Sequence, residues 1–114
     1  MTNLNKLANR RCKPCETGMP PLAQPEIDSL LQHLEGWQQY DRLISKTYRF
    51  KDYYQTIAFV NMVAWISHRE DHHPEMVVNY NSCHMEYTTH SIHGLSENDF
   101  ICAAKVDALS GTSD

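Results

Sequence analysis

Between Ser67 and Met76 the chain reads SHREDHHPEM, which puts three imidazoles and three carboxylates within ten residues. Three chemistries are open to such a run. The first is metal binding. His68 and His72 are four apart, the spacing of two zinc ligands on one helix face. The metalloprotease pattern, however, is H-E-x-x-H, whereas this chain has H-R-E-D-H. Glu70 is thereby turned about 100° further round the helix, away from the position of a base. A third ligand would have to come from His90 or Asp99, and no metal is expected. The second possibility is a solvated helix end, where an imidazolium gains from the macrodipole. The third is proton transfer, since imidazole gives and takes protons near neutral pH. His72 and His73 at a helix end, joined by His90 from a strand end, would line a cleft with an acid on one side and a base on the other. His33, His84 and His93 read as surface residues.

The elements that must position these groups follow from periodicity. Residues 1–21 are polar, end in Pro20-Pro21 and read as a mobile arm. A helix starts near Pro25, with Ile27, Leu30, Leu31 and Leu34 on one face and Gly36 as its stop. Residues 37–50 read as a hairpin turning at Asp41-Arg42, with Ile44, Tyr48 and Phe50 on one alternation. Asp52 and Gln55 form a capping-box pattern for the longest helix, over 53–72, which Pro74 ends by pushing His73 into extended backbone. Its apolar rows are Ile57, Val60, Ala64 and Phe59, Val63, Ile66. EMVVNY and HMEYTTH read as two strands around residues 81–83, the second with Met85, Tyr87 and Thr89 on one face and His84, Glu86, Thr88 and His90 on the other. Ser96 and Asp99 cap a final helix through Leu109. The order α-β-β-α-β-β-α predicts an α+β fold, a two-layer sandwich of a four-stranded antiparallel sheet with helices on one face. The domain is expected over 22–110, with 111–114 a polar tail.

Composition narrows the function. At 114 residues the chain suits one domain with one modest core, which self-association would help to cover. A net charge of −4 argues against a phosphate-backbone binder. No apolar run is long enough to span a bilayer, and the N-terminal residues lack the apolar stretch of a signal peptide, so a cytoplasmic location is expected. Cys12 and Cys15 form a lone C-x-x-C without a second pair, and neighbouring Pro14 and Gly18 suggest a loop; an inert pair is expected.

The spacing also carries a resemblance. His68-x-x-x-His72-His73-Pro74, then Tyr80, His90 and Asp99, resembles the signature of the pterin-4a-carbinolamine dehydratases, as do the flanking DHHPEM, YTTH and GLSENDF. The resemblance runs over residues 37–109. It implies a hydro-lyase acting on 4a-hydroxytetrahydropterin, the product of pterin-dependent aromatic amino-acid hydroxylases, and needing neither metal nor organic cofactor. Loss of water to quinonoid dihydropterin requires a general acid at the departing C4a oxygen and a general base at N5. Under this resemblance His72 and His90 are the acid–base pair, His73 positions substrate, and His68, Asp99 and Tyr80 are supporting or substrate-binding. Many relatives carry glutamate where this chain has His68. Asp99 has two readings: it orients His90, or it caps the last helix from Ser96. Trp37, Tyr80 and Trp65 are candidates for stacking on the flat ring, although Trp65, among apolar neighbours, reads as core.

The resemblance implies a rival class as well, because animal relatives serve as dimerisation cofactors of a homeodomain transcription factor. In this chain the last helix, with Phe100, Ile101, Ala104, Val106, Ala108 and Leu109, has an apolar surface wider than one stripe. A self-interface is expected there, giving a homodimer or homotetramer, with no direct nucleic-acid or membrane partner.

Overall fold

The computed structural model describes residues 7–15 and 18–110; the expected tail at 111–114 lies outside them. The elements are α1 (Gln24–Leu31), β1 (Gln38–Tyr40), β2 (Leu43–Arg49), α2 (Tyr53–Glu70), β3 (Glu75–Val78), β4 (Ser82–Tyr87), a 3-10 turn (His90–Ile92) and α3 (Glu97–Ser110). All strand pairs are antiparallel, in the order β1-β2-β4-β3. This is the α+β arrangement expected, α-β-β-α-β-β-α.

Alternation decides which face of the sheet is covered. Ile44 and Tyr48 on β2 and Cys83, Met85 and Tyr87 on β4 are buried. Their neighbours point the other way, where Thr47 Oγ1 and His84 Nδ1 meet at 2.7 Å on the exposed side. Phe59, Val63 and Ile66 of α2 and the buried side of α3 close the inner face. At the start of α2 the Gln55 N–H donates to Asp52 Oδ1 at 2.9 Å, as the capping pattern predicts. The Gln55 side chain reaches back one residue further than a capping box requires and accepts from the Lys51 N–H.

Several expectations are corrected. The long helix stops at Glu70, because Asp71 takes the left-handed conformation at φ 54°, which short polar side chains tolerate. His72 therefore leaves the helix and does not share a face with His68. Trp65 is 54% exposed, with the Arg69 guanidinium 4.9 Å from its ring centroid, so it is not core. Residues 79–81, not 81–83, turn between β3 and β4, since Cys83 continues the buried alternation of Met85 and Tyr87. Phe100, Ile101, Ala104 and Val106 are buried within the chain, and only Ala108 and Leu109 of the expected interface set are exposed. The breadth of that apolar face is spent on packing inside the domain.

One reason is that α3 is covered on its second side by residues 7–15. Leu7 is buried in the core, and the Lys105 ammonium donates to the Ala8 carbonyl at 2.6 Å. The Asn98 side chain holds both backbone groups of Lys13, accepting from its N–H at 3.0 Å and donating to its carbonyl at 2.6 Å. Cys12 Sγ lies 3.5 Å from Cys102 Sγ. A segment fastened by one apolar anchor and by its own backbone groups has no periodicity to announce it, which is why it reads as a loose arm in sequence.

A buried carboxylate ties the hairpin to α3. Asp107 accepts from Trp37 Nε1–H at 3.0 Å, from the Lys46 ammonium at 3.0 Å and from the Tyr48 hydroxyl. Burial, followed by the Asp107 charge, pushes the Tyr48 hydroxyl far above its ordinary pKa, so it stays a donor. Trp37 belongs to this buried cluster, edge-on to Tyr48. Removing Asp107 leaves a largely buried ammonium without its counter-charge, a loss of about 3–5 kcal/mol. Asp107→Ala is expected to lower the urea-unfolding free energy by about that amount, read by circular dichroism; a change under about 1 kcal/mol would show the cluster to be energetically idle.

Candidate active site

His72, His73 and His90 line one hollow of about 260 Å³, together with Ser67, Asp71, Thr88, Thr89 and Ser91. Two connections deliver them. The first is the sharp exit from α2: Asp71 in left-handed conformation closes the helix through its N–H to the Ser67 carbonyl, and Pro74 forbids a return to helical backbone at His73. The second is the 3-10 turn after β4, which carries His90. Thr89 and Gly94 bridge across that turn, with Thr89 N–H donating to the Gly94 carbonyl at 3.0 Å. Gly94 cannot be larger, since a Cβ there would sit 2.7 Å from Pro21 Cβ.

Behind the hollow stands Asp99, 0% exposed. Its Oδ2 accepts from the Thr89 hydroxyl at 2.8 Å and from the Ser96 N–H at 3.0 Å. Its Oδ1 lies 2.6 Å from His72 Nε2. A carboxylate already taking two donors on one oxygen is acceptor-only, so the Nε2–H donates and Nδ1 is the ring's basic nitrogen. Of the two readings of Asp99, the cap is present, made by the carboxylate on the Ser96 N–H, and orientation is present too, but the imidazole held is His72 and not His90. The His72 ring also stacks on Tyr87, with centroids 5.8 Å apart and planes 11° from parallel.

The other candidates are not brought here. His68 is exposed on α2 and does not line the hollow. Tyr80, 64% exposed, lies in the β3–β4 turn stacked on Tyr53, also away from it. Tyr87, Thr89 and Ser96 are groups that sequence reasoning passed over. Tyr87 and Thr89 carried only the signal of an inward alternation, and Ser96 that of a helix cap. Among the described residues no three side chains of His, Cys, Asp or Glu gather as a metal's ligand set.

A second cavity, about 460 Å³, adjoins the first and shares Asp71, His72, Thr89 and Ser91 with it. Its remaining wall comes from residues 12–15 with Arg69, Glu70 and Asn98. Glu70, next but one to His72, is buried and accepts from the Cys12 N–H at 2.9 Å, with Arg11 at 3.3 Å and Lys105 at 3.8 Å.

The match to known proteins follows the same residues. The model of the pterin 4 alpha carbinolamine dehydratase family matches residues 20–109. The chain belongs to that family, a family of hydro-lyases. It is 66% identical over 110 residues to a Nitrosomonas eutropha protein named as a pterin-4-alpha-carbinolamine dehydratase, covering 96% of this chain and 97% of that one. A Dechloromonas aromatica protein of the same name is 50% identical over 103 residues, covering 90% and 92%. In solved structures the chain is similar to a transcriptional coactivator/pterin dehydratase from Brucella melitensis, with a TM-score of 0.77, 33% identity and coverage of 80% of this chain and 99% of that one. A pterin dehydratase-like protein identified as a RuBisCO assembly factor in the alpha-carboxysome is similar at 26% identity and a TM-score of 0.56, covering 66% of this chain and 87% of that one. Among the described residues of this dehydratase-family chain, no helix is long and apolar enough to cross a membrane.

Glu70 gives this region a pH dependence. Burial, its largest influence, raises the carboxyl pKa. The Cys12 N–H and the charges of Lys105 and Arg11 outweigh it, leaving the pKa below its ordinary 4.5. A depressed folded-state pKa adds stability that is complete above the unfolded value and fades as pH falls through the folded one. Glu70→Gln is therefore expected to be less stable than wild type to urea at pH 7, with the deficit narrowing below about pH 4. A deficit constant from pH 7 to pH 3 would mean that the charge of Glu70 contributes nothing.

Proposed function

We propose that the chain dehydrates 4a-hydroxytetrahydropterin to quinonoid dihydropterin by imidazole acid–base catalysis, and so returns the pterin spent by an aromatic amino-acid hydroxylase. The observation that carries this reading is the convergence of His72, His73 and His90 on one hollow, with a buried carboxylate fixing the first of them. Family membership supports the reaction class.

The chemistry fits the geometry. The N5 lone pair closes the C4a=N5 bond as the C4a–O bond breaks; the oxygen leaves as water after taking a proton, and N5 loses its own. His72 is suited to take the N5 proton, since Nδ1 is its free basic nitrogen and Asp99 stabilises the imidazolium that forms. His90, across the hollow, protonates the departing oxygen, and His73 holds the ring of the substrate. Each positioned transfer is worth about 10²–10⁴-fold. His72→Ala and His90→Ala are each expected to lower kcat/KM for synthetic carbinolamine by about 10²-fold or more. The wild-type pH profile should bend where imidazoles titrate. Near-normal rates in both variants would overturn the assignment.

Asp99 serves cap and imidazole at once, so its substitution separates the two. Asp99→Asn is expected to reduce kcat/KM by at least about tenfold through loss of imidazolium stabilisation, beyond what any lowered melting temperature accounts for. A variant that loses stability but keeps turnover would leave Asp99 as a helix cap only.

A second reading, a protein-binding cofactor, is favoured by the likeness to the Brucella melitensis coactivator/dehydratase. Self-association into a homodimer or homotetramer belongs to either reading. Val77 and Val78 on edge strand β3, both exposed, offer a surface for it. A stoichiometric protein partner captured by a chain without dehydratase activity would place this reading first.

A further inference from the structure

Two thiols outside the histidine hollow face each other. Cys12 Sγ, on the arm formed by residues 7–15, lies 3.5 Å from Cys102 Sγ on α3, and neither cysteine is in a disulfide. We propose that Cys12 and Cys102 are a peroxide-reactive dithiol, a modification site at which a hydroperoxide converts the pair into a disulfide that fastens the arm to α3. The inference is independent of the dehydratase reading. Polar bonds along the arm deliver the sulfur of Cys12 to its partner: the Cys12 N–H is held by Glu70, and both backbone groups of Lys13 are held by Asn98. The sulfurs need to close by about 1.5 Å to reach bonding distance. Cys15, the thiol nearest in sequence, is engaged elsewhere, since the Asn98 side-chain amide donates to its Sγ at 3.4 Å.

The surroundings give the two thiols different roles. Cys12 is half-buried and lines the cavity of about 460 Å³, so a small oxidant reaches it, whereas Cys102 is 0% exposed. The hydrogen bond with Cys12, followed by burial and by charge at Cys12, pushes the Cys102 thiol far above its ordinary pKa. Cys102 therefore keeps its proton, and the anion that attacks forms on Cys12, with the Cys102 S–H as its donor. A third group completes the site. The Tyr87 hydroxyl is buried and, among the described residues, has no hydrogen-bond partner. Burial, followed by the charges of Cys102, Asp99 and Cys12, pushes its pKa well up, so it stays a donor, near enough to both sulfurs to serve an oxygen added to Cys12.

The reaction has two steps. The Cys12 thiolate attacks one oxygen of hydrogen peroxide: the S–O bond forms, the O–O bond breaks, and the hydroxide that leaves takes up the proton the thiol released, giving water and a sulfenic acid. The Cys102 sulfur then attacks the Cys12 sulfur: the S–S bond forms, the S–O bond breaks, and the Cys102 proton departs with the oxygen as a second water. Two thiols are oxidised to one disulfide, and one peroxide is reduced to two waters.

The link joins residues 90 apart in the chain, so it removes much freedom from the unfolded state. The experiment treats the full reduced chain with hydrogen peroxide and maps its disulfides by peptide mass spectrometry. A Cys12–Cys102 cross-link is expected, with a melting temperature raised by about 10 °C and both changes reversed by dithiothreitol. Cys15→Ser should keep the cross-link and the rise in melting temperature, and Cys12→Ser should lose both. Cys102→Ala should leave a dimedone-reactive sulfenic acid at Cys12; if that variant does not fold, the wild-type map and Cys15→Ser still decide. A Cys12–Cys15 or intermolecular disulfide, a sulfinic acid at Cys12 with Cys102 still reduced, or a cross-link that leaves the melting temperature unchanged overturns the proposal.

Discussion

A carboxylate without solvent must find donors inside the protein or cease to be charged, and Asp99 finds three. They come from three parts of the chain: the exit of α2 through His72, the end of β4 through Thr89, and the start of α3 through Ser96. The bonds that satisfy the buried charge therefore also fix where those parts meet. The Thr89 hydroxyl gives its proton to Asp99, so the Ser96 hydroxyl donates to Thr89 at 2.7 Å and ties the helix start to the strand end. The same constraint fixes the tautomer of His72. An imidazole that donates through Nε2 keeps Nδ1 as an acceptor, and Tyr87 is stacked against the ring.

The hollow is thus an outcome of how three connections end rather than of any one element. The helix must stop at Asp71, the strand must run straight into a 3-10 turn, and Gly94 must let that turn press against Pro21. Asp107 does comparable work at the far end of α3, binding the hairpin through Trp37, Lys46 and Tyr48. With a buried carboxylate anchored near each end, α3 has little freedom to slide along the sheet, which keeps Asp99 in register with His72. Residues 7–15 add a third constraint, since Glu70 and Asn98 use the backbone of the arm to satisfy their own buried atoms.

Much was legible in the sequence because it depends on local pattern. Inward alternation in β2 and β4, the Asp52 cap, Pro25 and Pro74 are effects of one or two turns of chain, and each element they predicted is present. Types and spacing left three chemistries open for the histidines, and it was the resemblance that singled out His72, His73 and His90, which line one hollow. What local pattern could not decide was direction. Asp71 could continue a helix or end it; only the docking of Glu70 beneath the arm and of His72 against Asp99 selects the left-handed exit. Trp65 lies among apolar neighbours in sequence, yet tertiary packing turns it to solvent, and Trp37 instead supplies the buried indole.

By itself, then, the sequence determined the α+β order, the inner face of the sheet and the residue types fit for acid–base work, because those follow from short-range periodicity and side-chain chemistry. The tertiary structure alone decided that Asp99 serves His72 rather than His90, that His68 and Tyr80 stand apart, and that residues 12–15 complete a wall. Those are contacts between groups far apart along the chain, and their energies exist only once the buried polar atoms must find one another away from water.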